Sequence, residues 1–288
     1  MSMAGKFARS WALLKASAEV LRSDKALLMF PLFSGICTLV VAATFLTPVG
    51  WEYFNDARIR SYGVEHHVAA SHYVFLFLFY LAQYTVIIFF NTALASVATA
   101  RLRGDEASVS EGLAAARSRF ASILGYAIIA ATVGTLLRMV QQRAGWLGRL
   151  VAGMIGVAWT VATFLVVPVL ANEDVGPLEA VQRSVELLKR SWGENLIGNA
   201  GIGFAFGFIT LAAVLVAFVL VMAAASAHSV ALMVAVIALA FIGFALLGMI
   251  QSSLQVVYAV ALYRYVDEGE AGGGFDQGML ENAFRSRL

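Results

Sequence analysis

The sequence predicts an all-α polytopic membrane protein, with six transmembrane helices as three hairpins, each preceded by a cytoplasmic-face amphipathic helix. Composition is the first reason. Of 288 residues, 60% are hydrophobic and 13% charged, and the mean hydropathy is +0.80. A soluble domain carries about 25% charged residues, so this chain lacks the polar surface to cover a core in water. The second reason is that several apolar runs reach the roughly 20 residues needed to cross a bilayer. The third is a repeat. Phe7–Ser17 and Val181–Ser191 coincide at Arg, Ser, Leu, Leu, Lys and Ser without a gap, and each copy stands ahead of a long apolar run.

Taken in order, residues 4–25 read as an interfacial helix. Phe7, Trp11, Leu14, Ala18 and Leu21 keep to one face, because steps of four and three residues follow the helical period. Lys6, Arg9, Lys15, Glu19 and Arg22 lie off that stripe, as in a helix that lies in the membrane surface. Charges running through the segment argue against a signal peptide. Span one is expected over residues 26–49, with Pro31 in its first turns, where a missing N–H matters least. A polar loop over 51–72 leads to a Phe-rich span two over 73–100, which Arg101 and Arg103 end. A second amphipathic segment is expected over 105–120, its stripe being Val109, Leu113, Ala116 and Phe120. Spans three and four follow at about 121–140 and 150–171, with Pro168 close to the exit of span four. Gly176 and Pro177 open the third amphipathic helix, 177–193, with Val181, Val185, Leu188 and Trp192 as its stripe; Pro is well suited to such an early position. Spans five and six are expected at about 195–224 and 229–265, joined by a tight turn around His228. Span six is longer than a bilayer needs and must tilt or project beyond it. Residues 1–265 thus read as one transmembrane domain, and 266–288 as a cytoplasmic tail in which Gly272–Gly274 precede a short helix.

Orientation follows from the basic residues near the span ends. One side gathers Lys6, Arg9, Lys15, Arg22, Lys25, Arg101, Arg103, Arg117, Arg119, Arg183, Lys189, Arg190, Arg264, Arg285 and Arg287, leaving Arg58, Arg60, Arg138, Arg143 and Arg149 on the other. Lys and Arg concentrate on the cytoplasmic side, so both termini are expected there, together with all three amphipathic helices.

The candidate chemistry is sparse. His66, His67 and His72, with Glu65 beside them, form the one metal-like constellation; imidazoles suit zinc or copper, but three histidines in a loop equally make a solvated loop. The lone Cys37 can build neither a disulfide framework nor a cysteine metal site. No Asp, Glu or Lys falls inside a span, which argues against ion-coupled transport through buried carboxylates. Asn91, Gln251, Ser252 and Gln255 are candidates for a polar cavity, the last three sharing one helical face; hydrogen bonding between helices is the plainer role for such groups. Arg9, Lys15, Arg183, Lys189 and Arg190 are candidates for holding an anionic lipid headgroup, although Glu19, Glu179 and Glu186 dilute their charge. No phosphate loop, HExxH or GxSxG is present.

Several of these stretches resemble a known family. Arg9-Ser-Trp-Ala-Leu-Leu-Lys15, Phe89-Phe-Asn91, Arg101-Leu-Arg-Gly104, Pro168, Gly176-Pro-Leu-Glu-Ala180, Arg183-Ser184 and Trp192-Gly193 resemble a bacterial family of six-span integral membrane proteins of unknown function. More distantly, Pro168, Glu173, Glu179-Ala180, Arg183-Ser184 and Leu262-Tyr-Arg264 are similar to the membrane domain that accompanies some bacterial glycerophosphodiester phosphodiesterases. The resemblance implies a multi-pass protein of the bacterial inner membrane and transfers no catalytic residue. The expected function is accordingly non-enzymatic and without a cofactor: handling lipid headgroups or organising the membrane and its proteins. A channel or uncoupled transporter with a polar path along span six is the alternative, and a periplasmic-face metalloenzyme the third. Expected partners are membrane lipids, and a second copy of the chain or another membrane protein; nucleic acid is not among them.

Overall fold

The computed structural model describes residues 25–55, 70–143, 145–190, 195–226 and 229–269. The first amphipathic segment, most of the histidine-bearing loop and the tail lie outside them. The described residues are helical, and six helices are long and apolar enough to cross a membrane. After a 3-10 turn at Lys25–Leu28 the helices are α1 Met29–Asn55, α2 Ala70–Arg103, α3 Val109–Ser118, α4 Phe120–Arg143, α5 Trp146–Ala162, α6 Val166–Asn172, α7 Pro177–Arg190, α8 Asn195–Ser226 and α9 Val230–Asp267. Large apolar side chains point outward along the spans, Leu215, Phe218 and Val219 on α8 being 57%, 62% and 63% exposed. In water such a surface would be unstable; in a bilayer it meets hydrocarbon.

The helices group into two compact units. In the unit built from residues 32–97 and 108–186, α1 and α2 run antiparallel. Phe45 meets Phe75 and Phe79, Gln83 donates to the Thr38 carbonyl at 3.2 Å, and Phe33 meets Phe90. α4 and α5 lie against each other in the same unit. α3 starts with a capping box, in which the Ser108 hydroxyl accepts from the Glu111 N–H and the Glu111 carboxylate accepts from the Ser108 N–H. This arrangement satisfies two of the orphan donors of a helix start.

In the unit built from residues 1–31, 98–107 and 187–288, α8 and α9 lie along each other. α9 has two different halves. Its 38 residues extend about 57 Å at 1.5 Å per residue, well beyond a hydrocarbon core of about 30 Å. From Val230 to Ile250 its large apolar residues are mostly exposed, whereas Val256 to Arg264 are all buried. The excess length is therefore packed in protein. The 3-10 turn supplies part of that packing, with Leu27 and the adjoining Phe30 fully buried.

Three sequence expectations shift. The second amphipathic segment, expected over 105–120, is helical only over Val109–Ser118, and Phe120 already starts α4. Of the expected stripe Val181, Val185, Leu188 and Trp192, Leu188 is buried, Val181 and Val185 are half-buried, and Trp192 lies outside the described residues, while α7 also buries Ala180, Ser184 and Leu187. Span four, expected as one helix, is interrupted between Ala162 and Val166. The reason for the last is Pro168. It has no N–H to give the Phe164 carbonyl and its ring crowds that carbonyl, so the helix opens one turn ahead of it.

Candidate functional site

The interruption in span four is closed by side chains from other helices. In an unbroken helix the N–H groups of Leu165 and Val166 would reach the carbonyls of Val161 and Ala162. Here Phe164 takes the Val161 carbonyl, Val166 bonds Thr163, and Thr163 bonds Trp159. That arrangement strands the Leu165 N–H and the Ala162 carbonyl. Ser184 of α7 serves both. Its fully buried hydroxyl donates to the Ala162 carbonyl at 2.7 Å and accepts from the Leu165 N–H at 3.1 Å. A gap in a membrane helix is tolerated where neighbouring hydroxyls restore the freed backbone groups. From the other side Tyr126 of α4 is hydrogen-bonded to Thr163.

The link from α6 to α7 is clamped as firmly. Arg119 donates to the Glu173 carbonyl and reaches the Asp174 carboxylate at 3.5 Å. The Ser122 hydroxyl donates to the Val175 carbonyl at 2.9 Å. The Arg183 Nε donates to Glu173 at 3.3 Å, and its guanidinium also meets Glu186 at 3.7 Å. Pro177, the first residue of α7, sits so close to α4 that a Cβ on Gly125 would fall 2.7 Å from its ring. Only glycine admits that approach.

On the same unit a cleft of about 450 Å³ runs between α4 and α5, with Tyr84 of α2 in its wall. Ala130, Val133, Gly134, Leu137 and Gln141 line it from α4, and Ala152, Gly153 and Gly156 from α5. Small residues make the room: a Cβ on Gly134 would meet the Tyr84 hydroxyl at 3.5 Å, and one on Gly153 would meet nothing within 4 Å. The volume falls in the range of small-ligand sites, which are mostly apolar with a few polar groups. Gln141 lies near the C-terminal end of α4, and Arg138, one turn earlier, is exposed.

In the other unit the C-terminal ends of α2 and α9 carry an ion cluster. Glu268, which caps α9, takes a bond from Arg103 and another from the Arg264 Nε at 2.9 Å. Arg264 is only 2% exposed. Partial burial by itself would raise the Glu268 pKa, but the two arginines outweigh it and hold the carboxyl below the usual glutamate value. Arg101 donates to the Ala107 carbonyl at 3.2 Å and so fastens the turn after α2.

The sequence candidates are placed unevenly. Arg9, Lys15, His66 and His67 lie outside the described residues, as does the side chain of His72. Among the described residues no group of three or more His, Cys, Asp or Glu could hold a metal. Arg183 is half-buried against Glu173, while Lys189 and Arg190 are exposed in the last turn of α7. Asn91 belongs to one compact unit and Gln251, Ser252 and Gln255 to the other; all four are half-buried, and none lines the cleft. Sequence reasoning missed the paired roles of Ser184 and the contributions of Tyr84, Tyr126 and Glu268. The one available signal was Ser184 itself, which recurs as Ser10 in the repeat.

A family model described as a family of unknown function, DUF6159, matches residues 70–274. The chain belongs to the DUF6159 family. The DUF6159 match takes in the broken span, the clamped link, the cleft and the Arg103–Arg264–Glu268 cluster. No curated protein matches the chain.

Proposed function

We propose that this DUF6159 protein is a non-enzymatic lipid-holding protein of the bacterial inner membrane. Both termini face the cytoplasm, and three span hairpins each follow a helix lying at that face. The observation that carries the reading is the cleft between α4 and α5. It is cut into two membrane-spanning helices, so what fills it from outside is hydrocarbon, and its wall of Ala, Gly, Val and Leu suits an acyl chain. Lys189 and Arg190 on α7, and the equivalent basic face of the first amphipathic segment, support contact with anionic headgroups on the cytoplasmic side.

The test is lipid retention. The full chain, extracted in mild detergent and weighed by native mass spectrometry, should hold phospholipid, and Gly153→Phe, which fills the cleft from an open position, should lose it. Equal retention by the variant refutes the reading. One observation favours a second function, an uncoupled transporter: discontinuous helices mark substrate sites in many transporters, and span four is discontinuous. Solute flux in proteoliposomes that stops in Ser184→Ala would establish it, and an impermeable proteoliposome would remove it.

A further inference from the structure

We infer that the α4–α5 cleft selects an anionic phospholipid, with one chain in the cleft and the phosphate held by Arg138 and Arg149 at its linker end; the inference rests on the lipid-holding reading above. Charge is the first argument. From residue 112 to residue 172 the chain has no Asp or Glu, and α4, α5 and their linker carry Arg138, Arg143 and Arg149. Elsewhere Glu268 pairs with Arg103 and Arg264, and Glu173 with Arg183. Among the described residues, Arg138 and Arg149 have no ion pair. An arginine near the end of a membrane helix snorkels to the headgroup layer, where lipid phosphates are the abundant anions.

Register is the second argument. On α5, Arg149, Gly153, Gly156 and Thr160 follow steps of four and three residues, so Arg149 stands on the face that lines the cleft. On α4, Arg138 falls between the lining residues Gly134 and Gln141, at the edge of the same face. α4 descends into the linker and α5 leaves it, so both arginines belong to the linker end of the cleft. At the other end lie Ala130, Thr160 and Val161, the last next to the interruption in span four. The Thr160 hydroxyl is turned back to the Gly156 carbonyl at 2.9 Å, leaving that end apolar. The cleft thus has the Gln141 amide at its linker end, with the two arginines outside its lining but near that end, and is mostly apolar towards the interruption. Only a molecule with an anionic head and an apolar chain matches both ends. On the orientation proposed above, the linker faces the periplasm, so the lipid would be taken from the outer leaflet of the inner membrane.

The experiment reconstitutes the full chain in vesicles of equal phosphatidylethanolamine and phosphatidylglycerol, re-extracts it in mild detergent and counts the retained lipids by native mass spectrometry. Wild type should retain phosphatidylglycerol about tenfold over phosphatidylethanolamine. Arg138→Gln with Arg149→Gln should still retain lipid but with the preference reduced to about parity, and Arg138→Lys with Arg149→Lys should restore most of it. No preference in wild type, or an unchanged preference in the double Gln variant, overturns the inference while leaving lipid holding intact. Undiminished retention by Gly153→Phe overturns lipid holding itself.

Discussion

Replacing Ser184 by Ala removes one oxygen atom and leaves the fold of α7 otherwise able to form. Its effect isolates the closure of span four. The hydroxyl is fully buried and has two backbone partners, the Ala162 carbonyl at 2.7 Å and the Leu165 N–H at 3.1 Å. Hydrogen bonds between membrane helices contribute about 0.6 kcal/mol on average and up to about 1.7. A buried backbone group left without a partner costs about 1–3 kcal/mol. Two groups are stranded together here and neither can reach water, so the expected loss is about 2 kcal/mol. That corresponds to a change of roughly 30-fold in the ratio of folded to unfolded protein. Because Ala nearly matches Ser in size, a cavity adds little. Titration of the purified protein from mild detergent into SDS, followed by tryptophan fluorescence, measures the difference. Ser184→Cys, a weaker donor of similar shape, should fall between wild type and Ser184→Ala. A Ser184→Ala protein within about 0.3 kcal/mol of wild type would show that the backbone re-forms its own bonds across residues 163–165, and the argument for a hydroxyl-closed gap would fail.

Three further outcomes are expected from the same titration. Gly125→Ala should destabilise by about 1–3 kcal/mol, because the new Cβ meets the rigid Pro177 ring at 2.7 Å; a neutral result would show that α7 can shift aside. Glu173→Gln and Arg183→Gln, combined in a double-mutant cycle, should show a coupling of about 0.5–1 kcal/mol, since both side chains are about three-quarters covered, at 22% and 26% exposure; additive effects would mean that the pair adds nothing. Glu268 supplies a pH dependence. Its folded pKa lies below the unfolded value because of Arg103 and Arg264, so its contribution is complete above the unfolded glutamate pKa of about 4.3 and is lost as pH falls through the folded value. Wild type should therefore lose more stability than Glu268→Gln on acidification below that pH, and parallel curves would contradict the assignment.

The class and number of spans were readable in the sequence for a physical reason. A lipid solvent forces each crossing to be a long apolar run, and no packing detail can hide it. The buried faces were less readable for the same reason. In water, large apolar residues mark the side of a helix that faces the core, and the expected stripes Val181, Val185, Leu188 and Val109, Leu113, Ala116, Phe120 were chosen by that rule. In a bilayer large apolar residues gain nothing by turning inward, because lipid is as apolar as they are. What turns inward includes small residues that allow close approach, Ala180 and Ser184 on α7, Gly112 and Ala116 on α3 and Gly125 against Pro177, beside large ones such as Leu187 and Leu188. Leu178, by contrast, is 66% exposed and Phe120 is 44% exposed.

The interruption of span four was half visible. Pro168 stands in the sequence, but a proline near the end of a span bends or breaks it according to what can replace the lost backbone bonds. That replacement is a hydroxyl on a helix 16 residues further along, a fact of tertiary structure. The same logic bears on the small residues of α4 and α5. The space beside Gly125 is filled by Pro177. Gly153 instead faces open space, and its helix carries Arg149 one turn away on the same face. On the lipid-holding reading proposed above, an acyl chain fills that room, and Arg149, which has no ion pair among the described residues, meets the headgroup.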